Sequence, residues 1–419
     1  MFKVLLVIGT RPEVIKMGPV VRALSQSSDR VSFTVCVTSQ HRELADQALR
    51  IFGIRPDYDL DVMTRDQSPT QVAAAVLERI EPVLKSEKPD WILVQGDTTS
   101  ATAASLAAFY SRVRVGHVEA GLRTYERHSP FPEEAHRRIV AIMADLHFAP
   151  TARARRDLLK EGVPEDHIVL TGNPIVDAVQ WVASMPFEPE DLPIPSHLLR
   201  PKILLVTAHR RENFGEPLEN ICKALRDIAD QYRDEILVVY PVHMNPNVRD
   251  PVNRILGDIP NVQLTPPLDY VTFIHLLRQS YLVLTDSGGV QEEAPSFGVP
   301  ILVLRDVTER TENIEVGTAR IVGSNRERIV RAVRRLIENP EEYASMSGAI
   351  NPYGDGRAAE RIVNALLELA ESPVNLPRPL EGTFIQLTDS HRQWNEEKWK
   401  QLFASFQKLR LEASGGSVD

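Results

Sequence analysis

At 419 residues the chain is too long for one ordinary core and fits two domains. Its 43% apolar and 25% charged residues are typical of a globular protein, and a net charge of −9 argues against general nucleic-acid binding while allowing an anionic small ligand where basic residues gather. The two cysteines, Cys36 and Cys222, exclude a disulfide framework and a Cys-based zinc site; the apolar run at 4–8 is too short for a signal peptide and no stretch is long enough to span a membrane, so a cytoplasmic protein is expected.

Short β-branched runs alternate with amphipathic segments through the first half. The strand candidates are FKVLLVI (2–8), FTVCVTS (33–39), WILVQG (91–96), VRVGHVE (113–119), LHFAP (146–150) and HIVLTGN (167–173). Helical patterns lie between them, among them the Ala-rich run 100–110 and TARARRDLLKEG, where Gly162 reads as a helix stop. Apolar strands alternating with helices indicate a parallel sheet covered on both faces. A Pro-rich acidic stretch at 185–201 reads as a linker, and the alternation then restarts: ILLVTAH (203–209), ILVVYPV (236–242), VQLTPPL (262–268), YLVLTDS (281–287), VPILVLR (299–305) and ARIVGS (319–324). Two α/β domains in series leave a cleft between them, the usual place for a ligand. After a helical run near 357–372, the segment 389–409 places Trp399, Leu402, Phe403, Phe406 and Leu409 on one helical face, a pattern that points to core or subunit packing.

The motifs sit where strands pass into helices. GTRPEVIK (9–16) brings Arg11 and Lys16 to the first such turn; Gly9 would permit the tight turn and free helix N–H groups would suit a phosphate, although an ordinary βα turn has the same look. QGDTTS (95–100) puts Asp97 in the equivalent place, either as a cap or as a reacting carboxylate. The stretch 115–138, VGHVEAGLRTYERHSPFPEEAHRR, carries Glu119, Glu133 and Glu134 from a strand end into a helix start. In the second half AHRREN (208–213) offers His209 and Arg210 as anion contacts or an acid. DSGGVQEEA (286–294) is the strongest phosphate signal: Ser287, Gly288 and Gly289 let backbone approach a ligand at a helix N-terminus, with Glu292 or Glu293 capping the dipole or taking a ribose diol, and Arg310 follows the next strand.

Taken in order, GTRPEVIK, TSQH, GDTTS, HVEAGLR, PFPEE, TGN, HRREN, PVHMNP, TDSGGVQEEAP, TER and NPYGDG resemble the motifs of the non-hydrolysing UDP-N-acetylglucosamine 2-epimerases over about residues 1 to 370. The resemblance implies an α/β chain of GT-B architecture, two Rossmann-like doubly wound domains facing a cleft. Residues 1–180 would carry the catalytic carboxylates, 181–356 would bind UDP, and 357–419 would hold crossover helices and an extra C-terminal helix that pack back on the first domain. It implies a cytoplasmic homodimer that interconverts UDP-GlcNAc and UDP-ManNAc for cell-surface polysaccharide synthesis, with no cofactor and no metal, and with no nucleic-acid or membrane partner. Carried over by position, Asp97, Glu119, Glu133 and His209 match the acid/base and elimination residues. Arg11, Lys16, Phe273, Ser287, Gly288, Gly289, Glu293 and Arg310 match substrate contacts, and Gln40, His41, Arg210 and His243 match the lining of a second, activating UDP-GlcNAc site. Thr311 stands where the family usually has proline, His136 where it has asparagine, and the tail beyond about 375 has no usual counterpart. The chemistry suits these residue types: inversion at C2 needs a proton taken from one face and returned to the other, and loss of UDP needs cations and helix N-termini at the leaving diphosphate. A GT-B glycosyltransferase, a hydrolysing relative, a non-catalytic sugar-nucleotide-binding protein of the same fold and an epimerase for a related UDP-amino sugar are the competing readings.

Overall fold

Runs such as VLLVI and ILLV are apolar on both strand faces and are stable only when helices cover both sides. The computed structural model, which describes residues 2–38, 42–64, 67–195, 198 and 202–371, contains two sheets of this kind. The first joins β1 (Phe2–Ile8), β2 (Val31–Val37), β3 (Tyr58–Asp59), β4 (Trp91–Gln95), β5 (Arg114–Val118), β6 (Leu146–Ala149) and β7 (Ile168–Leu170) in the order β3-β2-β1-β4-β5-β6-β7. The second joins β8 (Lys202–Thr207), β9 (Ile236–Pro241), β10 (Val262–Thr265), β11 (Leu282–Thr285), β12 (Ile301–Val303) and β13 (Ala319–Ile321) in the order β10-β9-β8-β11-β12-β13. Every pairing is parallel.

Both sheets therefore follow the Rossmann order, reversing direction between β1 and β4 and again between β8 and β11, and such reversals open a crevice at the strand carboxyl ends. Buried Leu5, Ile92 and Val115 carry one core under the helix Thr99–Tyr110, and Leu204, Val238 and Leu284 carry the other. The helix Ala358–Glu371 returns to the first sheet's side: it packs on the helices Arg11–Gln26 and Pro174–Ala183, and the Asp177 carboxylate accepts from its first N–H groups, Ala358 N at 3.2 Å and Ala359 N at 2.9 Å.

The edge strand β3 was not expected, because two paired residues carry no period-two signal. Several strands also stop short of their apolar runs; β5 ends at Val118, and Glu119 turns into the left-handed region at φ +62°. Gln40, His41 and the segment 389–409 lie outside the described residues. Among the described residues no helix is long and apolar enough to cross a membrane.

Candidate active site

The carboxyl ends of β1, β4, β5, β8, β9 and β11 converge on one cavity of about 560 Å³ between the two sheets. After β1, Thr10 caps the helix Arg11–Gln26, and Glu13, at capping-box spacing, accepts from Thr10 N at 2.6 Å and Gly9 N at 3.1 Å while Thr98 donates to its other oxygen at 2.9 Å. The N–H groups that Glu13 takes, those of Gly9 and Thr10, lie just ahead of the helix. Gly9 is required for space and not for a left-handed turn, since an added Cβ would lie 2.9 Å from both Glu13 Oε2 and Ser100 Cβ. Arg11 sits 5.9 Å from the ring centroid of Tyr270, from the facing wall.

Lys16 is held between two carboxylates. Its ammonium lies 2.5 Å from Glu119 Oε1 and 2.9 Å from Glu292 Oε2, joining the two walls of the cavity. Glu119 also accepts from Asn173 Nδ2 at 3.0 Å and from the Gln95 amide. A non-glycine residue at φ +62° costs about 1 kcal/mol or more of backbone strain, which persists only where the surroundings over-determine it. Here three side-chain donors do so. Burial pushes the Glu119 carboxyl up and Lys16 opposes it; the net direction is upward.

Asp97 lines the same cavity, held by Arg137 Nε at 2.8 Å, and His136 Nδ1–H donates to its carbonyl at 2.9 Å, tying the helix Glu133–Met143 to this turn. The N-cap of the following helix is Thr98, so Asp97 is not spent on capping. Glu133 does not line the cavity. Of the PFPEE pair it is Glu134 that is fully buried, accepting from Thr124 N at 3.0 Å, Tyr125 N at 3.2 Å and Arg137 at 3.2 Å, whereas Glu133 Oε2 is buried with no hydrogen-bond partner.

On the opposite wall the buried Asp286 shapes the turn after β8: it accepts from His209 N at 2.8 Å, Arg210 N at 2.9 Å and Asn213 Nδ2 at 2.9 Å. His209 stacks on His243 with ring centroids 5.6 Å apart, and burial holds it below the ordinary histidine range, so it is neutral near pH 7 and can accept a proton. Arg210 and His243 share this cavity with His209. Phe273, Ser287, Gly288 and Gly289 line it too; a Cβ at Gly288 would lie 3.2 Å from Glu309 Oε1, so a larger residue there would press on that carboxylate. Arg310 pairs with Glu292 Oε1 at 2.7 Å. Thr311 accepts from Arg153 of the helix Ala152–Lys160, a contact between the two sheets' domains.

Burial pushes Glu13 up to about 7 and Glu293 up to about 8. A carboxyl whose folded value lies above its unfolded one binds more protons in the native state, so each lowers stability as pH rises from about 4.5 toward those values, at up to about 1.4 kcal/mol per pH unit. Stability measured by urea denaturation should therefore fall between pH 5 and 8, and Glu293→Gln should flatten that slope; an unchanged slope would remove Glu293 as its source. Sequence reasoning passed over Glu13, Gln95, Asn173, Asp286 and the pairing role of Glu292. Thr10 and Glu13 do stand at capping-box spacing, but the others are brought in only by the topology. Among the described residues no group of His, Cys, Asp or Glu is arranged to hold a metal ion.

The family model for UDP-N-acetylglucosamine 2-epimerase matches residues 22–367. This chain belongs to that family. A UDP-N-acetylglucosamine 2-epimerase of Yersinia pestis is 52% identical over 372 residues, 87% of this chain and 98% of the relative. A crystal structure of UDP-GlcNAc 2-epimerase from Neisseria meningitidis bound to UDP-GlcNAc is 44% identical with a TM-score of 0.78, covering 88% of this chain and 100% of that one. The crystal structure of the glycotransferase of kitacinnamycin, 16% identical at a TM-score of 0.61, shares the fold alone, the GT-B arrangement of two Rossmann-like sheets.

Proposed function

We propose that the chain is a non-hydrolysing UDP-GlcNAc 2-epimerase, interconverting UDP-GlcNAc and UDP-ManNAc for cell-surface polysaccharide precursors. The observation that carries the reading is the composition of one cavity: carboxylates Asp97 and Glu119 on one wall, His209, Arg310 and the Ser287–Gly289 turn on the other. In this reading the half at 1–180 supplies the acid/base groups and the half at 181–356 holds UDP. A carboxylate takes the C2 proton as the C1–O bond to UDP breaks, C1 and C2 become doubly bonded, and UDP then re-adds at C1 while a second group returns a proton to the other face of C2. Arg310, Ser287, Gly288 and Gly289 would receive the charge that develops on the leaving diphosphate. Glu293 beside Tyr270 suits the ribose, Phe273 the base, and Arg11 and Lys16 the remaining polar contacts. Glu133 belongs to the proposal on a separate ground, its buried and unpartnered oxygen, the condition of a carboxylate with hydrogen-bonding capacity still to be used. Arg210 and His243 are the described part of the proposed activating site.

Incubation with UDP-GlcNAc should yield UDP-ManNAc to a fixed equilibrium ratio, read by chromatography, with UDP and free sugar as minor products. Free ManNAc and UDP accumulating in equal amounts would support the hydrolysing reading, and consumption only with an added acceptor would support a glycosyltransferase. A cytoplasmic location belongs to the same proposal, supported by two buried free thiols, Cys36 and Cys222. So does a homodimer. Phe109 and Tyr110 on the helix Thr99–Tyr110 are 56% and 71% exposed, and Ile139 and Ile142 on the adjoining helix Glu133–Met143 are 43% and 84% exposed. Large apolar side chains clustered on two packed helices suit an isologous contact. Light scattering should give twice the 47.0 kDa of one chain, and Ile142→Asp should shift it toward the monomer; a wild-type mass of one chain would remove the dimer from the proposal.

A further inference from the structure

We infer that Glu292 is a positioning residue for the reaction: from the UDP-side wall it holds Lys16 and Arg310 between the two sheets and so sets how fully Lys16 neutralises Glu119. The inference deepens the epimerase reading and rests on Glu119 being one of its acid/base groups.

Glu292 is 1% exposed on the short helix Gly288–Glu293, and each of its oxygens faces a cation, Oε2 in an ion pair with Lys16 at 2.9 Å and Oε1 bonded to Arg310 at 2.7 Å. Oε2 makes no hydrogen bond, so its tie to Lys16 is electrostatic. Glu292 acts through its two cations. Lys16 in turn is shared, 2.5 Å from Glu119 Oε1, so a single ammonium serves two carboxylates that come from different sheets. An isolated buried Lys–Glu pair would lock Glu119 as a carboxylate; a second carboxylate on the same ammonium weakens that lock and leaves Glu119 able to take up and release a proton.

The groups facing Glu119 are few. Lys16 approaches from the helix Arg11–Gln26, Glu292 from the facing wall, Arg310 from the loop ahead of the helix Thr311–Val316, and the Tyr353 hydroxyl from beyond them, while Gln95 and Asn173 are uncharged donors. Burial raises the Glu119 carboxyl, Lys16 pulls it back and Glu292 pushes it up again. For Glu292 burial acts in the same upward direction, but Lys16 and Arg310 together outweigh it and hold it below the ordinary range. The two carboxylates are thereby pushed apart, Glu292 downward and Glu119 upward. A diphosphate arriving at Arg310 would draw that guanidinium away from Glu292 and strengthen Glu292's hold on Lys16, which couples substrate binding on one wall to the carboxyl on the other.

The test is the pH dependence of kcat/KM for Glu292→Gln and Glu292→Asp beside wild type, with Tm recorded for each. Removing the charge gives Lys16 wholly to Glu119, so the acid limb should move to lower pH in Glu292→Gln and by less in Glu292→Asp, whose shorter carboxylate draws back from Lys16. The rate at neutral pH should fall about 10- to 100-fold in the Gln variant, with partial recovery in Asp. A rate loss with the limb unmoved in both variants, or a limb moved to higher pH, would overturn the inference and leave Glu292 a packing residue. Should the Gln variant fail to fold, the direction of the Asp limb decides alone. Should turnover be too slow to profile, ¹³C NMR of carboxyl-labelled glutamate, with the Glu119 signal assigned by its loss in Glu119→Gln, reads the same displacement. That titration also works if wild type proves inactive on UDP-GlcNAc, an outcome that would end the epimerase reading while the electrostatic claim is judged on its own.

Discussion

Asp97→Asn and Glu119→Gln are each expected to lower kcat by about two to four orders of magnitude, the loss that follows removal of a positioned acid or base. The Kd for UDP should change by no more than a few-fold, because the groups proposed for the diphosphate stand on the opposite wall. Asparagine at 97 can still accept from Arg137, now 2.8 Å from the carboxylate, so the fold of the turn should survive while proton transfer does not. Glutamine at 119 is a harsher change. The native carboxylate accepts from Lys16, Asn173 and Gln95, and an amide must turn its NH₂ toward one of these donors, so some loss of Tm should accompany the loss of rate. Initial rates and calorimetric UDP binding on the same preparations separate the two effects. Turnover within ten-fold of wild type in either variant would remove that residue from the chemistry.

Arg310→Ala should lower kcat by about 10²- to 10³-fold and weaken UDP binding as well, the signature of a group that stabilises charge on the leaving diphosphate. The guanidinium is fixed by Glu292 at 2.7 Å and Glu309 at 3.3 Å, and its backbone N–H donates to the Thr308 hydroxyl at 3.1 Å, so it is aimed before substrate arrives. Truncation also leaves Glu292 with Lys16 as its one remaining cation, and a fall in Tm is expected with it. Arg310→Lys should recover little, since one ammonium cannot reproduce the planar fork that meets carboxylate and phosphate together. Wild-type kcat/KM in Arg310→Ala would take the leaving-group role away from this residue.

The strands were legible because runs such as VLLVI and ILLVT have to be buried on both faces, and the alternation with helices dictates parallel pairing. The Rossmann order of each sheet adds what the alternation leaves open, the position of the crevice between β1 and β4 and between β8 and β11. Within the site, composition near a strand end identified Lys16 and Arg310 as cations close to an anion, but not which anion. Lys16 meets Glu119, 103 residues away, and such a partner is visible only once the sheets have brought their carboxyl ends together. The same limit explains Gln95, Asn173 and Asp286, ordinary polar residues whose value lies in the neighbour they hold. Glu133 and Glu134 show the converse. Adjacent on a helix, they point about 100° apart and so meet different surroundings; neither lines the cavity, and the structure gives Glu134 to the loop backbone at Thr124 and Tyr125.

The central claim, that this cavity inverts C2 of a UDP-linked amino sugar by elimination and re-addition, is tested most directly by incubating the protein with UDP-GlcNAc in D₂O and following the sugar by NMR. The account predicts UDP-ManNAc carrying deuterium at C2, with deuterium also entering C2 of the recovered UDP-GlcNAc as the reaction reverses. Recovery of UDP-GlcNAc with its C2 proton intact and no UDP-ManNAc formed would contradict it.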